Sequence, residues 1–406
     1  MTQSFAPETA EEVRAIVADA LASGTSLEVV GGATRRTLGR PVDAEYVLSS
    51  AGLAGVSLYE PDELVLRAGP GTSMEQIRLQ TEQHGQMLAF EPPDYGPLLG
   101  GGAGQGTLGG IVATNLAGPR RVKAGAARDH FLGFTAVSGR GESFKSGGRV
   151  VKNVTGYDLC KLMCGSWGTL GVMTEITVKV LPAPQKTRTV LVRCDDPAAA
   201  VRAMTDGLSS PHDVSAAAWV PGDIARLSGA SHVAGAGGGV VALRLEGIGV
   251  SVSARCASLS ADLDGVGDIG ELHTHNSLIF WREIRDVAPF AGEAARAVWK
   301  ISVPPSAAAA TLASCRAAMD LEIFMDWGGG LLWIATEDEA AAAGVIRAAA
   351  AACGGHAMLV RGGEALRRAP GAFQPEPPGV ARLTRNIKQA FDPKGILNPG
   401  RMFEGV

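Results

Sequence analysis

The sequence predicts an α+β protein in which strands and helices come in mixed order, with no regular βα repeat. Two observations carry this. Residues 99–182 are dense in glycine and small polar side chains, and no crossover helix follows their glycine runs. From Thr187 onward, apolar runs and helical periods alternate as β-α-β-β-α-β, the pattern of an antiparallel sheet backed by helices on one side. Pro182-Ala183-Pro184 separates the two regions, because two prolines stop a strand and stiffen the exit.

Length and charge narrow the function. The 406 residues suffice for two or three domains with real cores. A net charge of −4, with no Lys/Arg stripe interleaved with aromatics, excludes a nucleic-acid-binding field. Residues 1–12 carry acids and no cationic segment, so no secretory signal is expected. No run of 18 apolar residues occurs, and the Ala-rich stretch 340–352 is interrupted by Arg347. Cysteines 160, 164, 194, 256, 315 and 353 lack the spacing of zinc or iron–sulfur ligands. They are expected to be buried small hydrophobes in a reducing cytoplasm.

Taken in order, Thr9 followed by Glu12 is a capping box. It opens a helix with Val13, Ile16, Val17, Ala20 and Leu21 on one face, and Gly24 ends it. Residues 26–30 read as a strand running directly into Gly31-Gly32-Ala33-Thr34-Arg35-Arg36. A strand that delivers its end into glycines and a hydroxyl suits a pyrophosphate; it also suits a plain strand-to-helix turn. Residues 63–68 read as a strand, and Thr72 as the cap of a helix through Gln83. Segments 135–137, 149–151 and 172–181 read as further strands.

The glycine-rich stretch begins Gly100-Gly101-Gly102-Ala103-Gly104-Gln105-Gly106-Thr107-Leu108-Gly109-Gly110. Such a run cannot fill a core, but it lets backbone approach a flat or anionic ligand closely. Its use is therefore to wrap a large cofactor. Gly104 to Gly109 fits G-x-G-x-x-G, yet loop chemistry (Glu91-Pro92-Pro93-Asp94-Tyr95-Gly96-Pro97) precedes it. Only 111–117 intervene before Gly118-Pro119, so a dinucleotide-binding βαβ unit is rejected.

The order of several short pieces resembles the FAD-binding domain of the vanillyl-alcohol oxidase and PCMH flavoprotein family. Within it, the chain is most similar to the FAD-binding subunits of bacterial glycolate oxidases. The pieces are Gly31-Gly32-Ala33-Thr34, Thr107-Leu108-Gly109-Gly110, Ala113-Thr114-Asn115, Lys152-Asn153-Val154-Thr155-Gly156-Tyr157-Asp158-Leu159, Gly168-Thr169-Leu170-Gly171 and the tail Asp392-Pro393-Lys394-Gly395-Ile396-Leu397-Asn398-Pro399-Gly400-Arg401. The resemblance implies a PCMH-type domain with two subdomains over 1–182. A cap domain for substrate or interface, an antiparallel sheet with helices, would follow over 183–380. A segment 381–406 would then return to the FAD domain.

The same resemblance, joined to the residue chemistry, places FAD against Gly31, Gly32, Ala33, Thr34, Pro92, Thr107, Gly109, Gly110, Thr114, Asn115, Gly118, Arg128, Asp129, Gly171, Val172 and Asn398. Asn115 suits a ring edge or ribityl hydroxyl, since its amide both donates and accepts. Arg128 and Asp129 fit either a cofactor contact or a surface pair. Tyr157 fits a flavin contact or simple packing, and Asn398 a flavin contact or a structural clasp. Relatives often tether the flavin through a histidine near Ala33-Thr34, and often carry Glu where Trp167 stands. With no histidine in that loop, FAD is expected to be non-covalent.

In the second region, strands at 188–193, 214–220 and 240–245 alternate with helices at 197–208 and 251–263. Three Trp-centred patches follow, around Trp281-Arg282, Trp299-Lys300 and Asp326-Trp327-Gly328-Gly329-Gly330 with Trp333. They suit a pocket for a small carboxylate, a protein interface, or core filling with exposed cations. Gly354-Gly355-His356-Ala357-Met358-Leu359-Val360 lacks the His-rich metal motif of related 2-hydroxyacid dehydrogenases, and His273 and His275 alone make no metal site. The catalytic residues are unassigned by sequence, with Arg282, Lys300 and His356 as candidates.

A helix over 380–391, with Arg382, Arg385 and Lys388 on one side, leads into the tail. By resemblance, the chain is an FAD-dependent oxidoreductase subunit that serves the oxidation of glycolate or another 2-hydroxy acid. A second flavoprotein subunit and an iron–sulfur subunit would be its partners, in the cytoplasm and touching the membrane only through them. A self-sufficient D-2-hydroxyacid dehydrogenase and a non-catalytic flavin-carrying scaffold are the alternatives.

Overall fold

The computed structural model describes residues 3–149, 156–292, 295–337 and 339–406. The chain forms two compact units: residues 1–117, 125–183 and 375–406 make the first, and 118–124 with 184–374 the second.

In the first unit, three short strands pair in parallel: β1 (Gln3–Phe5), β2 (Leu27–Val30) and β3 (Tyr46–Ser49), in the order β1-β3-β2. The helix Ala10–Ser23 packs Val13, Val17 and Ala20 onto Leu27 and Leu48, together with Val137, Val172, Ile396 and Leu397. Fully burying each of the valine, leucine and isoleucine side chains contributes about 1.5–3 kcal/mol. Thr9 caps the helix as expected, its hydroxyl accepting from the Glu12 amide at 3.2 Å, but the reciprocal half of the capping box is displaced by one residue: Glu12 Oε2 accepts from the Glu8 amide at 2.8 Å rather than from that of Thr9. Gly24, at φ +75°, closes the helix.

A second sheet continues the numbering with β4 (Val56–Glu60), β5 (Val65–Ala68), β6 (Gln86–Met87), β7 (Phe131–Ser138), β8 (Ser143–Gly147), β9 (Gly171–Lys179) and β10 (Leu181–Pro182). Five of these form an antiparallel sheet in the order β4-β5-β9-β7-β8, while β6 pairs only with β10. Two sequence expectations change here. Ser73, not Thr72, caps the helix Met74–Glu82. Thr72 is fully buried, and its hydroxyl holds the Gly55 and Gly69 carbonyls instead. The strand expected at 149–151 falls mostly on residues 150–155, outside the described ones. β8 was missed because its residues are largely exposed and polar, and only pairing with β7 makes it a strand.

The second unit is built on one sheet of eight strands, every adjacent pair antiparallel: β11 (Lys186–Arg193), β12 (Ala216–Val220), β13 (Val240–Gly247), β14 (Ile269–Leu272), β15 (Ala297–Ser302), β16 (Glu322–Asp326), β17 (Leu331–Thr336) and β18 (His356–Arg361). Their order is β14-β11-β13-β12-β16-β17-β15-β18. Helices Pro197–Ser209, Gly249–Asp262, Ala308–Arg316 and Glu339–Ala351 share a core with Val190, Val192, Leu243, Trp299, Ile301 and Ile334.

The expected one-sided backing is incomplete. Helix Thr274–Asp286 covers the other face of β11, where Trp281 Nε1 donates to Thr189 Oγ1 at 2.8 Å. The reason lies in β13, which is buried at every position from Val240 to Leu245 and so needs cover on both faces.

A larger correction concerns residues 118–124. They lie within the sequence of the first unit but pack in the second, where Arg120 makes a bidentate pair with Glu246 (2.8 and 2.6 Å). Burial pushes the Glu246 carboxyl up, but Arg244 and Arg120 outweigh it and hold the group at about 2. Among the described residues, no helix is long and apolar enough to cross a membrane, no group of His, Cys, Asp and Glu could hold a metal, and all six cysteines are free.

Candidate cofactor-binding site

The first unit contains a solvent-open cleft that, with the solvent it opens onto, encloses about 790 Å³. Its walls come from three places in the chain: the loop after β2, the start of helix Leu108–Thr114, and the turn before β9 with the C-terminal tail.

Glycine lets these walls meet. A Cβ on Gly31 would lie 2.5 Å from Thr107 Oγ1, and one on Gly32 would lie 2.5 Å from the Gln105 carbonyl oxygen. A side chain at either position would force the two loops apart. Ala33 is held at φ +55°, a conformation that costs a non-glycine residue energy and persists only where surroundings impose it. Among the described residues, the backbone N–H groups of Gly32, Ala33 and Thr34 donate to no protein acceptor. Three such amides in succession on the cleft wall suit an anion-binding nest.

Arg35 supplies the charge. Its guanidinium is buried in the cleft wall, where Nη2 donates to the Pro93 carbonyl at 3.2 Å while Nε has no partner. Burial lowers its pKa, opposed by Tyr95 and Asp94. A buried, incompletely satisfied guanidinium is costly unless an anion completes it. These donors fit the pyrophosphate of a dinucleotide cofactor.

The tail is a clasp. Asn398 Oδ1 accepts from the Val29 amide at 2.7 Å, and Nδ2 donates to the Trp167 carbonyl at 2.7 Å. Arg401 donates to the carbonyls of Arg35, Arg36 and Arg40 and lies 5.9 Å from the Trp167 ring. Lys388 is buried, and its ammonium donates to Thr169 O, Leu397 O and Asp392 Oδ2 at 2.7–2.8 Å. Strand β2, the loop after it and the turn before β9 are thus all tied to one C-terminal segment.

Of the residues singled out by sequence, Gly31, Gly32, Ala33, Thr34, Thr107, Gly109, Gly110, Thr114, Gly171, Val172 and Asn398 line this cleft. The others lie elsewhere. Asn115 caps helix Leu108–Thr114, and its Oδ1 accepts from the Arg128 amide. Arg128 Nε donates to the Lys161 carbonyl, and Asp129 accepts from the Ala126 amide. Pro92 precedes the Pro93 carbonyl held by Arg35, and Gly118 belongs to the second unit. Tyr157 is 92% exposed, so it is not packing filler. Arg35 was missed. Its signal was a cation directly after Gly-Gly-Ala-Thr at a strand end.

In the second unit, Lys300 on β15 pairs with Met358 on β18, and Ser302 two residues on pairs with His356. Arg282 stands apart from them, exposed on helix Thr274–Asp286 against β11. Four strands separate β11 from β15 in the sheet order. Trp281, Trp299 and Trp333 are at most 2% exposed and serve the packing of the unit.

A model described as "FAD binding domain" matches residues 2–147, and one described as "FAD linked oxidases, C-terminal domain" matches residues 374–402. The chain is 33% identical over 389 residues to glycolate oxidase subunit GlcE of Escherichia coli (strain K12), which covers 95% of each protein. It is 34% identical over 170 residues to a D-lactate dehydrogenase of Anaerostipes hadrus, covering 42% of this chain and 33% of that one. Among solved structures, 4-ethylphenol oxidase from Gulosibacter chungangensis superposes with a TM-score of 0.74 at 15% identity, over 99% of this chain and 89% of that one. p-Cresol methylhydroxylase gives a TM-score of 0.68 at 14% identity, over 99% and 88%. These likenesses identify the fold as the PCMH-type FAD-binding architecture with its second, sheet-based domain.

Proposed function

The chain belongs to the family of glycolate oxidase subunit GlcE, and from that premise we propose that it is the FAD-carrying subunit of a complex oxidising glycolate, or a close 2-hydroxy acid, to the 2-oxo acid. The observation that carries the reading is the nest of Gly32, Ala33 and Thr34 amides beside the incompletely satisfied Arg35 guanidinium. When bound there, FAD supplies the two-electron acceptor for the hydride leaving C2 of the acid.

The chain's own residues do the rest. Backbone amides and Arg35 hold the pyrophosphate, while Asn398 and Arg401 fix the loops around it. No histidine stands at Ala33-Thr34, so the flavin is held without a covalent bond. Lys300 and His356 are the candidates for meeting the substrate. Partial shielding by the fold, then the nearby Lys300 and Arg121 cations, push the His356 imidazole below its ordinary value, which favours the neutral form that accepts a proton. Arg282 is not grouped with them.

Electrons would pass to an iron–sulfur partner and a second flavoprotein subunit, since no metal-ligating group occurs among the described residues. Those partners would also provide any contact with the membrane. The test is to purify the native assembly with and without this chain. Loss of glycolate-dependent dye reduction on its omission is expected; full retention would refute the role.

A further inference from the structure

The strongest unassigned feature lies in the second unit, where two cations share one indole. The Arg121 guanidinium carbon sits 4.3 Å from the centre of the Trp327 ring, and Lys300 Nζ sits 5.0 Å from it. Like charges do not gather on a buried ring without cause. A cation–π contact returns only about 0.5–2 kcal/mol, less than burying an ammonium without a partner costs.

The arrangement is imposed by the backbone. Trp327, Gly328 and Gly329 follow one another at φ +54°, +67° and +93°. For a tryptophan this conformation costs about 1–3 kcal/mol and must be enforced by its surroundings. Two bonds enforce it: the Trp327 amide donates to Asp326 Oδ1 at 2.7 Å, and Nε1 donates to the Gly118 carbonyl at 3.1 Å. The second bond ties the turn to segment 118–124, which the Arg120–Glu246 pair anchors independently. Anchoring at Arg120 leaves the next residue, Arg121, facing the ring.

Lys300 arrives from the sheet. The alternation of β15 puts Trp299 and Ile301 in the helix-covered core, and Lys300 on the opposite face. Among the described residues, its ammonium has neither a hydrogen-bond acceptor nor a carboxylate in ion-pair range. Burial first, then Arg121, press its pKa down to about 8; Asp326 opposes them. His356 feels the same two cations. Three basic groups thus face one acid, whose Oδ1 is occupied by the Trp327 amide.

We propose that Arg121, Lys300 and the Trp327 indole form a binding site for a small carboxylate. The guanidinium fork and the ammonium would hold the carboxylate oxygens, with the indole as a flat wall for a short carbon skeleton. Resting on the function proposed above, the ligand class is the 2-hydroxy acid or its 2-oxo product.

Calorimetric titration of the FAD-loaded chain with oxalate, a carboxylate that cannot reduce flavin, tests the site. The wild type is expected to bind oxalate. Lys300→Met and Arg121→Met should each weaken binding at least tenfold, and Lys300→Arg should stay within a few-fold of wild type. Flavin content and melting temperature report folding in each variant. Absence of oxalate binding by the wild type, or unchanged affinity in both methionine variants, overturns the proposal. The two readings fail separately: oxalate binding lost in the variants while glycolate never turns over in the assembly supports the site and sinks the glycolate reading. Glycolate turnover with variants of unaltered oxalate affinity does the reverse.

Discussion

Two lysines, Lys388 buried in the first unit and Lys300 half-buried in the second, show what a partner does for a charge. Lys388 donates to two carbonyls and to Asp392, and every proton of its ammonium is accounted for. Lys300 faces Arg121, His356 and Asp326 with no acceptor for any of its own among the described residues. Burial lowers both pKa values, yet only Lys388 is repaid within the fold. A charge satisfied by its own chain holds a structure together; one left unsatisfied, beside a strained and anchored turn, is arranged for a ligand. Arg35, with its partnerless Nε in the cleft, is of the second kind.

The largest effect should come from Lys388→Met. It strands Asp392, which is fully buried and also holds the Ile396 and Leu397 amides, at a cost of about 3–5 kcal/mol. Urea denaturation measures this, and a loss under 1 kcal/mol would mean the clasp carries little. Next comes Gly110→Asp. Its Cβ would lie 3.1 Å from Arg35 Nη1, so the new carboxylate would take up the guanidinium that the pyrophosphate needs. FAD affinity should fall more than tenfold by equilibrium dialysis.

How much of this could be read from the sequence depends on the range over which each feature is determined. The capped first helix and the strand entering Gly31 are set by near neighbours, and both appear where local pattern places them. The transfer of residues 118–124 was hidden. Gly-Pro-Arg-Arg looks like a loop, and its partners Glu246 and Trp327 lie 126 and 209 residues away. Asn115 misled for a different reason: its amide chemistry suits a flavin, but a cap and the Arg128 amide occupy it. Asn398 does line the cleft, yet both ends of its amide bind protein. Residue type reveals what a side chain is able to do, and only tertiary neighbours reveal whether it is already engaged.

A smaller effect separates the two lysines by pH. An unfolded lysine keeps its proton to about 10.5, whereas Lys300 releases its proton at about 8 in the fold. Between those values the unfolded chain binds more protons, so stability rises with pH through this window. Lys300→Met should show a shallower rise, since Lys388, also lowered, still contributes one, and should be at least as stable as wild type near pH 7, the opposite of Lys388→Met. Chemical denaturation at pH 7, 8.5 and 9.5 checks the difference. The smallest effect belongs to Arg282→Ala, an exposed position, which should change stability by no more than about 0.5 kcal/mol. It should leave oxalate affinity untouched; a tenfold loss there would move the substrate-facing group to the far end of the sheet.

The most direct measurement compares flavin binding in wild type, Arg35→Met and Lys300→Met. The wild type should carry one FAD per chain, released wholly into the supernatant by acid. Arg35→Met should bind FAD at least tenfold more weakly, and Lys300→Met should bind it as wild type does. Full occupancy in Arg35→Met, or flavin retained in the acid pellet, would contradict a non-covalent FAD held by the nest and its buried arginine.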